Sequence, residues 1–158
     1  MLLSLILAAS LQSSIGGTVW WRTEDAAVIE PPTRNQCSIY FFNQTQAVVL
    51  DFGKSGLQRV LASNPAWDAL RPASARSAIV QMRQAYQADY QLVAADQNGT
   101  PLVEFQFRQP PPTLRDIAAT KQIVVLLDPN LPTLKYSLPA GKMRALVRAT
   151  RRCRSVLQ

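Results

Sequence analysis

Histidine is absent from all 158 residues of the chain. Without imidazole there is no Ser–His–Asp triad, no Cys–His pair and no side chain that titrates near neutral pH unperturbed. Ten carboxylates are scattered along the sequence, and none falls in a DxD or ExxE spacing. A pair converging only in three dimensions, in a cleft lined by Trp20, Trp21 and Trp67, would make the chain a hydrolase or an inhibitor-like domain. Core packing is the commoner duty for such tryptophans, and few titratable groups are present to perturb one another. The run GKSG at 53–56 lacks a phosphate loop's first glycine, because Val48 stands five residues before Gly53. It reads as a turn between strands. The triplets NQT at 43–45 and NGT at 98–100 fit a glycosylation acceptor and also fall in expected turns. The balance favours a non-enzymatic domain, with no cofactor and no metal.

The two cysteines, Cys37 and Cys153, are too few and too far apart for a metal site. Their meaning depends on compartment. The first 21 residues carry no charge, and residues 2–11 (LLSLILAASL) are almost wholly apolar, followed by small polar residues. That order matches a secretory leader, and ten apolar residues cannot span a bilayer. Residues 1–17 therefore read as a signal peptide and 18–158 as one domain. Cleavage is expected between about Leu11 and Thr18. One feature departs from the pattern: no Lys or Arg follows Met1. The other reading of this segment is a buried N-terminal strand or helix. In an exported chain, periplasmic or secreted, Cys37 and Cys153 are expected to form a disulfide; otherwise they are buried thiols.

Charge is the third chemical feature. The net charge is +7, and residues 142–154 hold Lys142, Arg144, Arg148, Arg151, Arg152 and Arg154 with no acid. Elsewhere 11 basic and 10 acidic residues nearly cancel. Cations near a helix C-terminus are favoured by the macrodipole, which is the structural explanation for the row. The functional one is an anion-binding strip for anionic lipid, lipopolysaccharide or an acidic protein. Few aromatic residues interleave with the arginines, which counts against nucleic acid.

These residues need elements to hold them. Residues 18–22 (TVWWR) read as a strand and 24–36 as a loop with a proline pair. Residues 37–42 and 45–52 read as a hairpin, and 57–62 as a further strand. Residues 75–86 show helical spacing, with a strand from Ile79 as the alternative. The clearest pattern runs from Tyr86 to Phe107, where apolar residues alternating with mostly polar neighbours on both sides of Asn98-Gly99 predict an amphipathic β-hairpin. Thr113 and Asp116 make a capping-box start for a short helix. Residues 122–127 (QIVVLL) read as a fully apolar strand, TLKYSL as another, and 140–156 as a last helix. On that helix Met143, Leu146, Val147, Thr150, Cys153 and Leu157 share an arc of about 120°. Arg144, Arg148, Arg151 and Arg152 lie opposite. Cys153 thus sits at the edge of the buried stripe, within reach of the strand carrying Cys37.

The fold class expected is α+β and β-rich: an antiparallel sheet or sandwich-like domain with a C-terminal helix packed on it. Its layout, through QCSIYFF around Cys37 and LKYSLPAGKMRALVRATRRC ending at Cys153, resembles small exported bacterial proteins of the invasion-associated locus B type. The resemblance implies an exported β-sandwich-like domain and transfers no catalytic residue. The glutamine-rich middle and the basic last helix depart from it.

Overall fold

The computed structural model describes residues 16–32, 35–70, 76–95, 99–127 and 130–158. The expected leader, up to residue 15, lies outside these, as do Ala75, Asn98 and the turn residues Asp128 and Pro129. Ten strands form one antiparallel sheet. They are β1 (Thr18–Arg22), β2 (Ala26–Glu30), β3 (Cys37–Phe42), β4 (Ala47–Gly53), β5 (Gly56–Ser63), β6 (Arg76–Gln81), β7 (Ala85–Ala95), β8 (Pro101–Phe107), β9 (Gln122–Leu126) and β10 (Leu134–Ser137). Among the described residues two α-helices join them, α1 (Leu114–Ala118) and α2 (Met143–Ser155).

The spatial order is β1-β2-β3-β4-β5-β8-β7-β6-β9-β10. The first five strands form a meander. The chain then passes through a single 3-10 turn at Pro65–Trp67 and returns in reverse order, so that β5 pairs with β8. The α1 connection carries it past β7 and β6 to β9 and β10. The sheet curls, which brings β10 back toward β2 and β3. The Tyr136 hydroxyl donates to the Asp25 carbonyl at 3.4 Å, and the Phe41 and Tyr136 rings lie 6.1 Å apart. One continuous core fills the inside, including Ile39, Phe41, Leu50, Phe52, Trp67, Tyr86, Phe105, Ile123 and Leu134. The expected β-rich fold with a packed C-terminal helix is present, as a single curled sheet.

Alternation explains most of this. In β7 and β8 Tyr86, Ala88, Tyr90, Val103 and Phe105 face inward, as the sequence pattern requires. Two local expectations need correction. Residues 76–81 are a strand: Ala78 and Val80 point inward, while Ser77, Ile79 and Gln81 do not, and β7 and β9 pair on either side. Helical spacing put Ala78 and Ile79 on one face; in the strand Ile79 turns outward and Val80 inward, and two partner strands supply the backbone hydrogen bonds. Residues 26–30, expected as loop, form β2, completed by β1 and β3. Strand β9 is apolar in sequence but buried on one face only, with Leu126 41% exposed.

At the β4–β5 turn Gly56 adopts φ +137°, a region that favours glycine, so GKSG is a hairpin turn. Strand β1 carries a bulge between Val19 and Trp21. The bulge breaks simple alternation, and Trp20 and Trp21 both pack against the core, half-buried.

Candidate anion-binding face

Helix α2 packs across β1, β2 and β3 and touches α1. It starts after Gly141 (φ +79°), with Lys142 at the N-cap making no side-chain cap. The buried stripe is Leu146, Val147, Ala149, Thr150 and Cys153, with Leu157 just beyond. Ala149 joins the expected stripe and Met143 is only half-buried. Thr150 satisfies its hydroxyl by donating to the Leu146 carbonyl at 2.9 Å.

Cys153 is bonded to Cys37, with 6.1 Å between their Cα atoms. Both are fully buried. The bridge spans 116 residues and fastens the last turn of α2 to the first residue of β3. Closing a loop of that length stabilises the fold by roughly 4–5 kcal/mol in the chain-entropy picture. The chain end adds to this fastening: Asn35 donates to the Gln158 carbonyl at 2.6 Å and accepts from its amide at 3.1 Å.

The six basic residues of this region divide into two groups. Lys142 lies 3.2 Å from Asp25 and 3.9 Å from Glu24. Burial pushes the Asp25 carboxyl up. Hydrogen bonds from Thr23 and Lys142, with the Lys142 charge, outweigh that and hold it below the ordinary range. Arg154 donates to the carbonyls of Gly53 at 3.0 Å and Lys54 at 2.8 Å, and its guanidinium lies 5.7 Å from the Phe52 ring centre. These two residues hold the ends of the helix onto the sheet.

Arg144, Arg148, Arg151 and Arg152 form the second group. All four are exposed, and none has an ion-pair partner among the described residues. At 100° per residue they occupy an arc of about 100°, and at 1.5 Å rise they span roughly 12 Å. Arg144–Arg148 and Arg148–Arg152 are like charges four residues apart, each pair destabilising by a few tenths of a kcal/mol. The macrodipole offsets little of this. Of the four, only Arg152 lies in the last turn, and Arg144 sits in the first turn, where a cation is disfavoured. The macrodipole therefore accounts for Arg152 alone, and the other three stand on the solvent face of an amphipathic helix.

The other polar groups are mostly engaged. Arg108 holds Asp89 through Nε at 3.1 Å, and this hydrogen bond lowers the Asp89 pKa. Asp116 takes part in the capping box with Thr113, as expected, and the Thr113 hydroxyl holds its carboxyl below the ordinary range. Trp67 is fully buried and donates to the Pro132 carbonyl at 2.8 Å, while Trp20 donates to Glu30 at 3.1 Å. Asn43 sits exposed in the β3–β4 turn, its Oδ1 accepting from the amides of Thr45 and Gln46. Among the described residues no three Cys, Asp or Glu side chains gather as metal ligands.

Sequence reasoning missed one polar network. On the outer face Ser38 donates to Asp51 at 2.6 Å, and Arg59 reaches the other carboxylate oxygen at 2.7 Å. Gln36 donates to Ser38 at 3.2 Å. Asp51 is 1% exposed, on the face of β4 opposite the core. The signal was present: an acid alternating with Val48, Leu50 and Phe52, opposite an arginine across the GKSG hairpin. The network holds three neighbouring strands together and leaves no free nucleophile. The Tyr90 hydroxyl is also buried, without a hydrogen-bond partner among the described residues.

No family model, no curated protein and no solved structure matches the chain.

Proposed function

We propose that the chain is an exported, non-enzymatic binding domain, periplasmic or secreted, that docks on anionic surfaces of the cell envelope through α2. The observation that carries this is the row Arg144, Arg148, Arg151 and Arg152: exposed, without ion-pair partners among the described residues, and crowding like charges on one arc. A protein retains such a row at some cost in stability when the charges meet a partner. Export is supported by the buried disulfide and by the uncharged apolar start of the sequence. No described helix is long and apolar enough to cross a membrane.

The test is retention on an immobilised polyanion such as heparin. The wild type should elute at clearly higher salt than a variant with all four arginines replaced by Gln, both folded by circular dichroism. Equal elution would remove the anion-docking reading. Export is tested by N-terminal sequencing of envelope-fraction protein, with a start between Leu11 and Thr18 expected. Cytoplasmic material still beginning at Met1 would overturn it.

A further inference from the structure

Resting on the anion-docking reading, we infer that the partner of α2 is the phosphate-bearing surface of an anionic lipid bilayer, on which the helix lies flat.

Shape is the first reason. The four arginines stand on a convex arc about 100° wide and roughly 12 Å long, too open to enclose one small anion. A row of guanidinium forks on a convex face fits a surface that repeats phosphates in two dimensions, and each fork takes phosphate oxygens in pairs.

The setting of the helix is the second. A helix that reads a duplex must project into a groove about 12 Å wide and 8.5 Å deep. Here the opposite side of α2 is sunk into β1, β2 and β3 and bolted there by Cys37–Cys153, so only the arginine arc stands clear. A flat surface is what such an arc can meet.

An apolar neighbour is the third. Val156 is 53% exposed and lies about 40° round the helix from Arg152, one turn further on. An exposed valine has no counterpart on a sugar–phosphate backbone, but it suits the boundary between headgroups and acyl chains of a bilayer. The main apolar face of α2 is committed to the core. Attachment is therefore chiefly electrostatic, shallow and reversible, and salt should weaken it steeply.

The probes are sedimenting vesicles of phosphatidylglycerol and phosphatidylcholine in equal parts, beside vesicles of phosphatidylcholine alone, with the full chain. Binding to the mixed vesicles only, lost at high salt, is expected. A basic residue near an anionic leaflet contributes about fivefold in affinity, so the four-Gln variant should bind at least 100-fold more weakly. The four-Lys variant, which keeps the charge, should retain most binding and serves if the Gln variant fails to fold. Val156→Gln should weaken vesicle binding several-fold while its elution from heparin stays unchanged. Retention on heparin with no binding to the mixed vesicles would overturn the lipid inference and leave anion docking standing. Equal binding to both vesicle types, or stronger binding to duplex DNA than to mixed vesicles, would also overturn it. Loss of arginine dependence on both heparin and vesicles would remove both readings.

Discussion

Arg154 donates its Nε proton to the carbonyl oxygen of Gly53 at 3.0 Å, one residue beyond the cysteine that bolts α2 to β3. A basic side chain in the same run as four free arginines is thus spent on holding the helix down. Arg154→Gln should lower stability by about 1 kcal/mol, through lost hydrogen bonds to two carbonyls. It should shift elution from heparin less than Arg148→Gln does. Urea unfolding and chromatography measure the two effects, and a larger elution shift for Arg154→Gln would contradict the division of roles.

Cys37 and Cys153 should resist alkylation in folded protein without reductant. Cys153→Ser should lower stability by roughly 3–5 kcal/mol, read from urea midpoints. Free thiols in intact-mass analysis of the folded chain would refute the bridge.

Asp51 anchors Ser38 and Arg59 on the outer face of the sheet. Asp51→Ala should cost about 2 kcal/mol, since it strands a buried hydroxyl and leaves Arg59 without its carboxylate. Ser38→Ala should cost less, because the Asp51–Arg59 contact survives. A thermal melt in which Asp51→Ala matches the wild type would show that the network adds nothing.

Tyr90 shows the opposite case. Its hydroxyl is buried without a partner among the described residues, so Tyr90→Phe removes an unsatisfied group and keeps the ring against Phe105. Stability should stay level or rise by up to about 1 kcal/mol. A clear drop in melting temperature would mean that the hydroxyl has a partner after all.

Stability should fall at both ends of the pH scale. Asp25 and Asp116 titrate below their ordinary 3.8 when folded. A carboxyl depressed in this way contributes stability above its unfolded pKa and loses it as pH falls through the folded one. Melting temperature should therefore be flat down to about pH 4 and fall below it, less steeply in Asp116→Asn. At the alkaline end burial, then the Asp25 charge, pushes Tyr136 up to about 12 from 10.0, and burial raises Tyr86 as well. Here the sign reverses: the contribution is present below pH 10.0 and is lost as pH rises toward 12. Tyr136→Phe should reduce the alkaline fall, and late tyrosinate absorbance in the wild type should track it. A melting temperature that does not change between pH 9 and the alkaline limit would disprove the assignment.

The sequence by itself determined what local periodicity and residue type can carry. Alternation from Tyr86 to Phe107 imposes a hairpin with one wet face, because a strand turns successive side chains to opposite sides. The stripe on α2 and the capping box at Thr113 are similarly local, since their partners lie within a turn or two of helix. The disulfide was legible because only two cysteines exist to be joined. Tertiary structure decided the rest. Strand order was not legible, since any strand edge offers the same amides and carbonyls, and β5 finds β8 rather than β6 only when the sheet curls around its core. For the same reason residues 76–81 became a strand once β7 and β9 supplied both edges. The basic run shows the limit most clearly. Its six residues look alike in sequence, yet Lys142 meets Asp25 from 117 residues away and Arg154 meets Gly53 from 101. Which cations are held and which stand free depends on distances of a few ångströms between segments far apart in the chain, and only the folded backbone determines those distances.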